Sequence, residues 1–321
     1  MGDISTDILG EPWQAETIEL PEDFEGEVVA TLVSRSPATS ASAALLHVHG
    51  FSDYFFQTEY GEWWVERGYD MYALDLRKYG RSLRPHQSAT YVGDLSEYFT
   101  ELDAAWERIT QRDGHTEVVL SGHSTGGLIV ALWADARRPA ELAGLILNSP
   151  WLDLQGSRWL RSPVANRLLD QLGQRQPLRV LPRKVSGTYP RSLHRDHGGE
   201  WDFDLAWKPL SSYPARFGWL RAIRRGQACL QAGLDVPAPV LVLSSDRSST
   251  GTGPEEDAFC TDIVLDVDQI RRWSTAVGTH HTYVAVPGAM HDVILSRPEA
   301  RERAYAEIER WVGAYLRRLG K

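Results

Sequence analysis

Short, almost uninterrupted runs of apolar residues recur along the chain, and they are separated by longer segments of mixed polarity. Six such runs lie at residues 44–50, 71–76, 117–122, 144–150, 239–245 and 282–288. Continuous hydrophobicity over a few residues indicates strands that are buried on both faces, as in a parallel sheet. The segments between them include 92–112, where apolar residues return every three or four positions and predict an amphipathic helix.

This alternation of strand and helix predicts a doubly wound α/β domain with a mostly parallel sheet. Residues 17–37 precede it and have the pattern of a two-stranded hairpin. We therefore expect a core built from 15–150 and 236–321, with residues 1–14 as an N-terminal tail. An insertion, residues 151–235, separates the two parts of the core.

The insertion differs from the core in charge and in aromatic content. Residues 151–225 contain 14 Lys and Arg against 6 Asp and Glu, whereas the whole chain of 321 residues has a net charge of −9. Five of the twelve tryptophans also lie there. We interpret the insertion as a lid over a ligand site. Its positive charge indicates either an anionic group on the substrate or a membrane surface, or only a solvated face.

Composition excludes several classes of function. The net negative charge argues against general nucleic-acid binding. The two cysteines, Cys229 and Cys260, form no CxxC pair and no metal-spaced cluster, which favours the reducing cytoplasm. The first residues lack the basic and apolar regions of a signal peptide, and no apolar run is long enough for a membrane span. The oligomeric state is not predicted.

The sequence GHSTG at 122–126 matches the pattern G-x-S-x-G. It lies between the strand-like EVVLSG and the helix-like LIVALWADARR, which is the context of a nucleophile elbow. Small residues are required two positions before and after the serine, because the chain turns sharply there. We therefore predict that Ser124 is a nucleophile.

A serine nucleophile needs a base and an acid that orients the base. His291 follows the last predicted strand and suits the base. Asp246 follows the preceding strand and is our preferred acid, with Asp266 as the alternative. A long polar excursion after Asp246 also contains Asp257 and Asp262, and one of its aspartates can fold back towards His291.

The remaining predictions concern the surroundings of the serine. The backbone N–H groups of Thr125 and Phe51 are the expected donors to the oxyanion. Pocket-lining candidates occur in the loop after the first run, beside the serine and at the start of the insertion: Tyr54, Phe55, His123 and Trp151. Simple packing is an equally good interpretation of these four.

The segments HVHGF, DLRKYGRS, GHSTGG, SSDRS and GAMHD occur in an order and spacing that resemble the α/β-hydrolase superfamily. The resemblance is closest to the monoacylglycerol lipase and lysophospholipase-like serine hydrolases, which are grouped with the serine aminopeptidases. It covers about 20–150 and 236–319. It implies an eight-stranded sheet, a Ser-Asp-His triad and no cofactor or metal. The long excursion after Asp246 departs from the family pattern.

The predicted function is hydrolysis of a carboxylic ester with an apolar acyl chain, through an acyl-enzyme on Ser124. An acyltransferase, or a peptidase or amidase with the same triad, is the first alternative. A binding module without turnover is the second, and the complete set of triad residues argues against it.

Overall fold

The computed structural model describes residues 4–36, 41, 43–156, 158–182, 187–249 and 255–316. Its strands are β1 (Ile4–Thr6), β2 (Gln14–Asp23), β3 (Gly26–Arg35), β4 (Ala43–Val48), β5 (Tyr69–Asp75), β6 (Glu117–His123), β7 (Leu142–Asn148), β8 (Val240–Ser245) and β9 (His281–Val286). Its α-helices are α1 (Thr58–Val65), α2 (Phe99–Glu107), α3 (Thr125–Arg137), α4 (Pro163–Arg175), α5 (Thr188–Leu193), α6 (Phe217–Gln231), α7 (Val267–Ser274) and α8 (Pro298–Tyr315).

All of these strands belong to one sheet, in the order β1-β2-β3-β5-β4-β6-β7-β8-β9. Strands β1, β2, β3 and β5 pair antiparallel, and every pair from β5 to β9 is parallel. The carboxyl ends of the parallel strands therefore lie along one edge, where open α/β sheets bind their ligands.

The sheet is covered on both faces, as its continuous apolar runs predict. Every residue of β4 is buried. Residues Leu102 of α2 and Ile270 of α7 pack against one face, and Trp64 of α1 and Ile308 of α8 pack against the other. Burial on both faces explains why these strands do not alternate between polar and apolar residues.

The sheet has nine strands in the described residues, whereas the family resemblance implies eight. The additional strand is β1, which lies at the sheet edge and pairs with β2. The expectation of a detached tail is wrong for residues 4–14. Trp13 is only 4% exposed, and the buried Asp7 binds the guanidinium of Arg81 at 2.6 Å. The sequence of this segment is acidic and does not indicate that Asp7 has a buried cationic partner, Arg81.

The insertion follows β7 and precedes β8, and it contains α4, α5 and α6. Among its helices, α6 packs against α3, because Ile223 of α6 joins the same apolar cluster as Leu128 and Leu132 of α3. Helix α4 packs on the outer side of α6, where a Cβ at Gly173 would approach the Cβ of Arg221 to 2.7 Å. Part of the insertion is therefore continuous with the core.

Candidate active site

Ser124 occupies a sharp turn between β6 and α3. Its φ is 52° and its ψ is −114°, a combination that residues other than glycine rarely adopt. Its N–H donates to the carbonyl of Asn148 at 2.9 Å, and its own carbonyl accepts from the N–H of Trp151 at 3.0 Å. The segment around the end of β7 therefore holds the strained residue in place.

The glycines on either side of Ser124 are required by close backbone contacts. A Cβ at Gly122 would lie 2.7 Å from the carbonyl oxygen of Gly126. A Cβ at Gly126 would lie 2.3 Å from the carbonyl oxygen of His49. The start of α3 thus packs directly on the end of β4, and the loop that follows β4 lies beside the serine.

Three side chains from three loops at this sheet edge are joined by hydrogen bonds. His291, after β9, lies with Nε2 3.0 Å from Oγ of Ser124. Its Nδ1 lies 2.9 Å from Oδ2 of Asp262, in the loop after β8. All three are buried, with 7% of Ser124, 2% of His291 and none of Asp262 exposed. The arrangement is that of a nucleophile, a base and an acid that orients it.

The preference for Asp246 as the partner of His291 is wrong in this geometry. Asp246 is exposed, and its Oδ1 accepts from the N–H of Gly288 at 3.2 Å. The alternative, Asp266, caps the N-terminus of α7 by accepting from the N–H of Asp268. Neither carboxylate bonds to His291.

Asp262 reaches the histidine because the polar excursion folds back onto the end of β8. The N–H of Asp262 donates to the carbonyl of Arg247 at 3.1 Å, and its carbonyl accepts from Ser249 at 3.0 Å. Its Oδ1 accepts from the N–H groups of Val264 and Leu265, which leaves Oδ2 for His291. The sequence signal for Asp262 is an aspartate followed directly by apolar residues, but the excursion contains three aspartates: Asp257, Asp262 and Asp266.

The expected oxyanion donors lie beside Ser124. Thr125 is the first residue of α3, and the N–H groups in the first turn of a helix have no partner within the helix. A Cβ at Gly50, the residue before Phe51, would lie 3.2 Å from Cβ of Ser124. The two segments that carry the predicted donors are therefore adjacent to the serine.

The four predicted pocket residues have different surroundings. Tyr54 and Phe55 are 1% and 0% exposed and pack in the core, so packing is their observed role. Trp151 is half-buried and contacts Trp219 of α6, with ring centroids 5.7 Å apart. His123 lies beneath the site, with its ring centroid 4.9 Å from that of His291.

A second polar cluster under the triad was not predicted. Asn148 donates to Oδ1 of Asp292 at 2.6 Å, and its own Oδ1 accepts from the N–H of Val293. Nδ1 of His123 lies 3.2 Å from the carbonyl of Asn148. Burial lowers the pKa of His123 despite the neighbouring Asp292 carboxylate, so this imidazole is neutral at physiological pH.

Two aromatic side chains of the insertion lie near the site. Tyr189 of α5 lies edge-on to His291, with ring centroids 5.2 Å apart. Burial raises the pKa of the Tyr189 hydroxyl well above its usual value, so the phenol is uncharged. Trp219 of α6 packs on Phe51 at 4.3 Å between ring centroids. One aromatic side chain of the insertion thus contacts the histidine, and another contacts Phe51.

No group of three or more His, Cys, Asp or Glu side chains with the arrangement of a metal site occurs in the described part of the chain. Within those same residues, no helix is both long enough and apolar enough to cross a membrane.

The family model described as "Serine aminopeptidase, S33" matches residues 39–297 of this chain. A curated relative, "Phospholipase YtpA" of Bacillus subtilis, is 32% identical over 114 residues, which are 35% of this chain and 42% of the relative. The chain therefore aligns with less than half of that relative.

Solved structures share the architecture over nearly the whole chain. Monoglyceride lipase from Saccharomyces cerevisiae has a TM-score of 0.69 at 16% identity and covers 98% of this chain and 99% of its own. Monoacylglycerol lipase from Paleococcus ferrophilus has a TM-score of 0.65 at 20% identity, with 88% and 99% covered. At such low identity the likeness shows the fold, and the expectation of an α/β-hydrolase fold is confirmed.

Proposed function

Because this chain belongs to the serine aminopeptidase S33 family of α/β hydrolases, we propose that it is a serine hydrolase that cleaves carboxylic esters. The observation that carries this proposal is the continuous set of hydrogen bonds from Ser124 through His291 to Asp262. The proposed catalytic residues are Ser124, His291 and Asp262, and Asp246 takes no part in the reaction.

The reaction proceeds through an acyl-enzyme. Oγ of Ser124 attacks the ester carbonyl while Nε2 of His291 accepts its proton, and Asp262 stabilises the imidazolium that forms. The N–H groups of Thr125 and Phe51 donate to the oxyanion of the tetrahedral intermediate. His291 then protonates the leaving alcohol. Water attacks the acyl-enzyme with His291 again as base, and the acid product leaves.

The proposed substrate has an apolar acyl chain. Tyr189 contacts His291, and Phe51, Trp151 and Trp219 form an aromatic cluster at the predicted oxyanion segment. Such rings suit an aliphatic chain better than a polar one. The relatives named phospholipase and monoglyceride lipase are in accord with a lipid ester. The insertion, residues 151–235, acts as the lid over a core made of 15–150 and 236–321, to which β1 adds an edge strand.

Labelling with a fluorophosphonate tests the proposal. We expect the wild type to be labelled on Ser124 and to hydrolyse p-nitrophenyl and monoacylglycerol esters of graded length. Ser124→Ala is the matched control, and it should lose both properties while it keeps its melting temperature. An unlabelled wild type, or equal labelling of Ser124→Ala, contradicts a serine nucleophile.

A peptidase is the second candidate, because the matched family takes its description from an aminopeptidase. The same triad cleaves amides and transfers acyl groups. Comparison of amino-acid p-nitroanilides with p-nitrophenyl esters, with added alcohols as acyl acceptors, separates the three activities by product.

We also propose that α4 of the insertion contacts a membrane surface. Val164, Leu168 and Leu172 follow one face of α4 at four-residue spacing and are 64%, 49% and 40% exposed. Arg167 and Arg175 on the same helix are exposed as well. An exposed apolar stripe with cationic neighbours fits an anionic lipid surface, where the helix lies with its apolar face in the headgroup region.

A further inference from the structure

A buried ion pair joins the insertion to the loop that carries Phe51. Nζ of Lys208 lies 2.7 Å from Oδ1 of Asp53, and each side chain is only 3% exposed. A buried pair of charges loses its hydration, and apolar residues of similar size often stabilise a protein equally well. Stability alone therefore does not explain why both charges are present.

Three aromatic rings surround the Lys208 side of the pair, and Lys208 favours the ionised form of Asp53. The ammonium of Lys208 lies 5.5 Å, 5.9 Å and 5.7 Å from the ring centroids of Phe56, Tyr189 and Phe203, which face it as in cation–π contacts. Burial opposes ionisation of Asp53, but Lys208 and the other neighbouring groups together outweigh burial and lower the pKa of the carboxyl. Asp53 is thus a carboxylate at neutral pH.

The rest of the loop is held by the same insertion. Oγ of Ser52 accepts from the N–H of Tyr213 at 2.9 Å, and Ser52 has a φ of 52°, which is rare for a residue with a side chain. The hydroxyl of Tyr54 accepts from the N–H of Asp204 at 2.7 Å. Lys208 lies between Asp204 and Tyr213 in sequence, so one stretch of the insertion binds three consecutive residues after Phe51.

We propose that Asp53 and Lys208 are positioning residues for the oxyanion site. Their ion pair fixes residues 51–54 so that the N–H of Phe51 points to the place where the carbonyl oxygen becomes negative. A donor that is already oriented needs no rearrangement as charge develops, and this is the main source of its catalytic effect. The inference rests on the proposed esterase function of Ser124.

The double variant Asp53→Asn/Lys208→Met tests the proposal, because it removes both charges together and leaves no buried charge without its counter-ion. We expect kcat for a p-nitrophenyl ester to fall about 10- to 100-fold, as for a displacement of about 1 Å in an active site. KM should stay within about threefold, since the donor acts mainly on the transition state. The inhibition constant of an alkyl boronic acid, which forms a tetrahedral adduct on Ser124, should rise in parallel with the loss of kcat.

The matched control is a second buried ion pair, Arg77–Glu101, which links the loop after β5 to α2 at 2.6 Å. Arg77→Met/Glu101→Gln should change the melting temperature without the selective loss of kcat. An unchanged kcat and boronate inhibition in the Asp53→Asn/Lys208→Met variant overturns the inference. A loss that only follows the unfolded fraction, as judged by the melting temperature, overturns it too.

The two proposals fail in different ways. If the wild type is not labelled on Ser124 and hydrolyses no ester, the esterase function itself is wrong. If the wild type is labelled and active, and the double variant has wild-type kcat, only the positioning role of Asp53 and Lys208 is wrong.

Discussion

The core and the insertion meet at the serine, and they are built in different ways. In the core, parallel strands that are buried on both faces bring Ser124 and His291 to one sheet edge, so their place follows from the topology. The described residues of the insertion form no strand of that sheet, and the insertion reaches the site through individual side chains such as Tyr189 and Lys208. The sheet topology therefore positions the reacting residues, while access to them and their fine positioning depend on side-chain packing by the insertion.

The largest effect is expected from the core chemistry. His291→Ala removes the base, and kcat should fall by about 10⁵- to 10⁶-fold, because a triad acts as one unit. The double variant Ser124→Ala/His291→Ala should be no slower than the Ser124→Ala variant alone. The measurement is ester hydrolysis at saturating substrate, with the melting temperature as a check on folding. Additive losses in the double variant would mean that the two residues do not work together.

Much of the fold and the site is predictable because local signals in the core agree. The continuous runs predict buried strands, and the glycines of GHSTG predict the elbow at Ser124. The acid was not predictable in the same way. The expectation that the acid directly follows β8 selects Asp246. Instead, backbone hydrogen bonds within an irregular loop bring Asp262 to His291.

The insertion was predictable only in its position and its composition. Its amphipathic helices contain no sequence motif of a known function. The Lys208–Asp53 pair joins residues that are 155 positions apart in the chain. No periodicity relates such residues. Similarly, the acidic N-terminal residues gave no sign that Asp7 would bind the buried Arg81 and that β1 would extend the sheet.

The next effect concerns the contact between the elbow and β4. Gly126→Ala should destabilise the protein by about 1–3 kcal/mol through overpacking, because the new Cβ would meet the carbonyl of His49. It should also lower kcat by displacing the loop that carries Phe51. Gly313→Ala in α8 is the matched control, since no atom lies within 4 Å of its Cβ position. We expect it to stabilise by about 0.5–1 kcal/mol. Equal melting temperatures for the two variants would contradict the close-packing argument.

The stabilisation by the Asp53–Lys208 ion pair, which joins the core to the insertion, should be lost at low pH. Asp53 has a lowered pKa in the folded protein, so its contribution to stability is present above its ordinary pKa and is lost as the pH falls through the lowered value. The difference in melting temperature between wild type and Asp53→Asn should be constant from neutral pH down to about 5. It should shrink only below about pH 4. A difference that grows on acidification would contradict the pairing with Lys208.

The smallest effect on kcat is expected from a substitution on the exposed face of α4 in the insertion. Leu168→Glu should leave kcat for a water-soluble short ester within about twofold, because surface substitutions rarely disturb a distant site. It should weaken co-sedimentation with phosphatidylglycerol vesicles. Glu302→Gln, on α8, serves as a control for charge changes on another exposed surface. Unchanged vesicle binding by the Leu168→Glu variant would remove α4 from the proposed lipid contact.

The central claim, that Asp262 orients His291 for attack by Ser124, is tested most directly by comparing kcat of Asp262→Asn and Asp246→Asn. Asparagine keeps an oxygen to accept from the N–H groups of Val264 and Leu265, so the loop should remain folded. We predict that Asp262→Asn lowers kcat on the order of 10³- to 10⁴-fold and that Asp246→Asn lowers it by less than about threefold. A severe loss in Asp246→Asn with near-normal activity in Asp262→Asn would contradict the account.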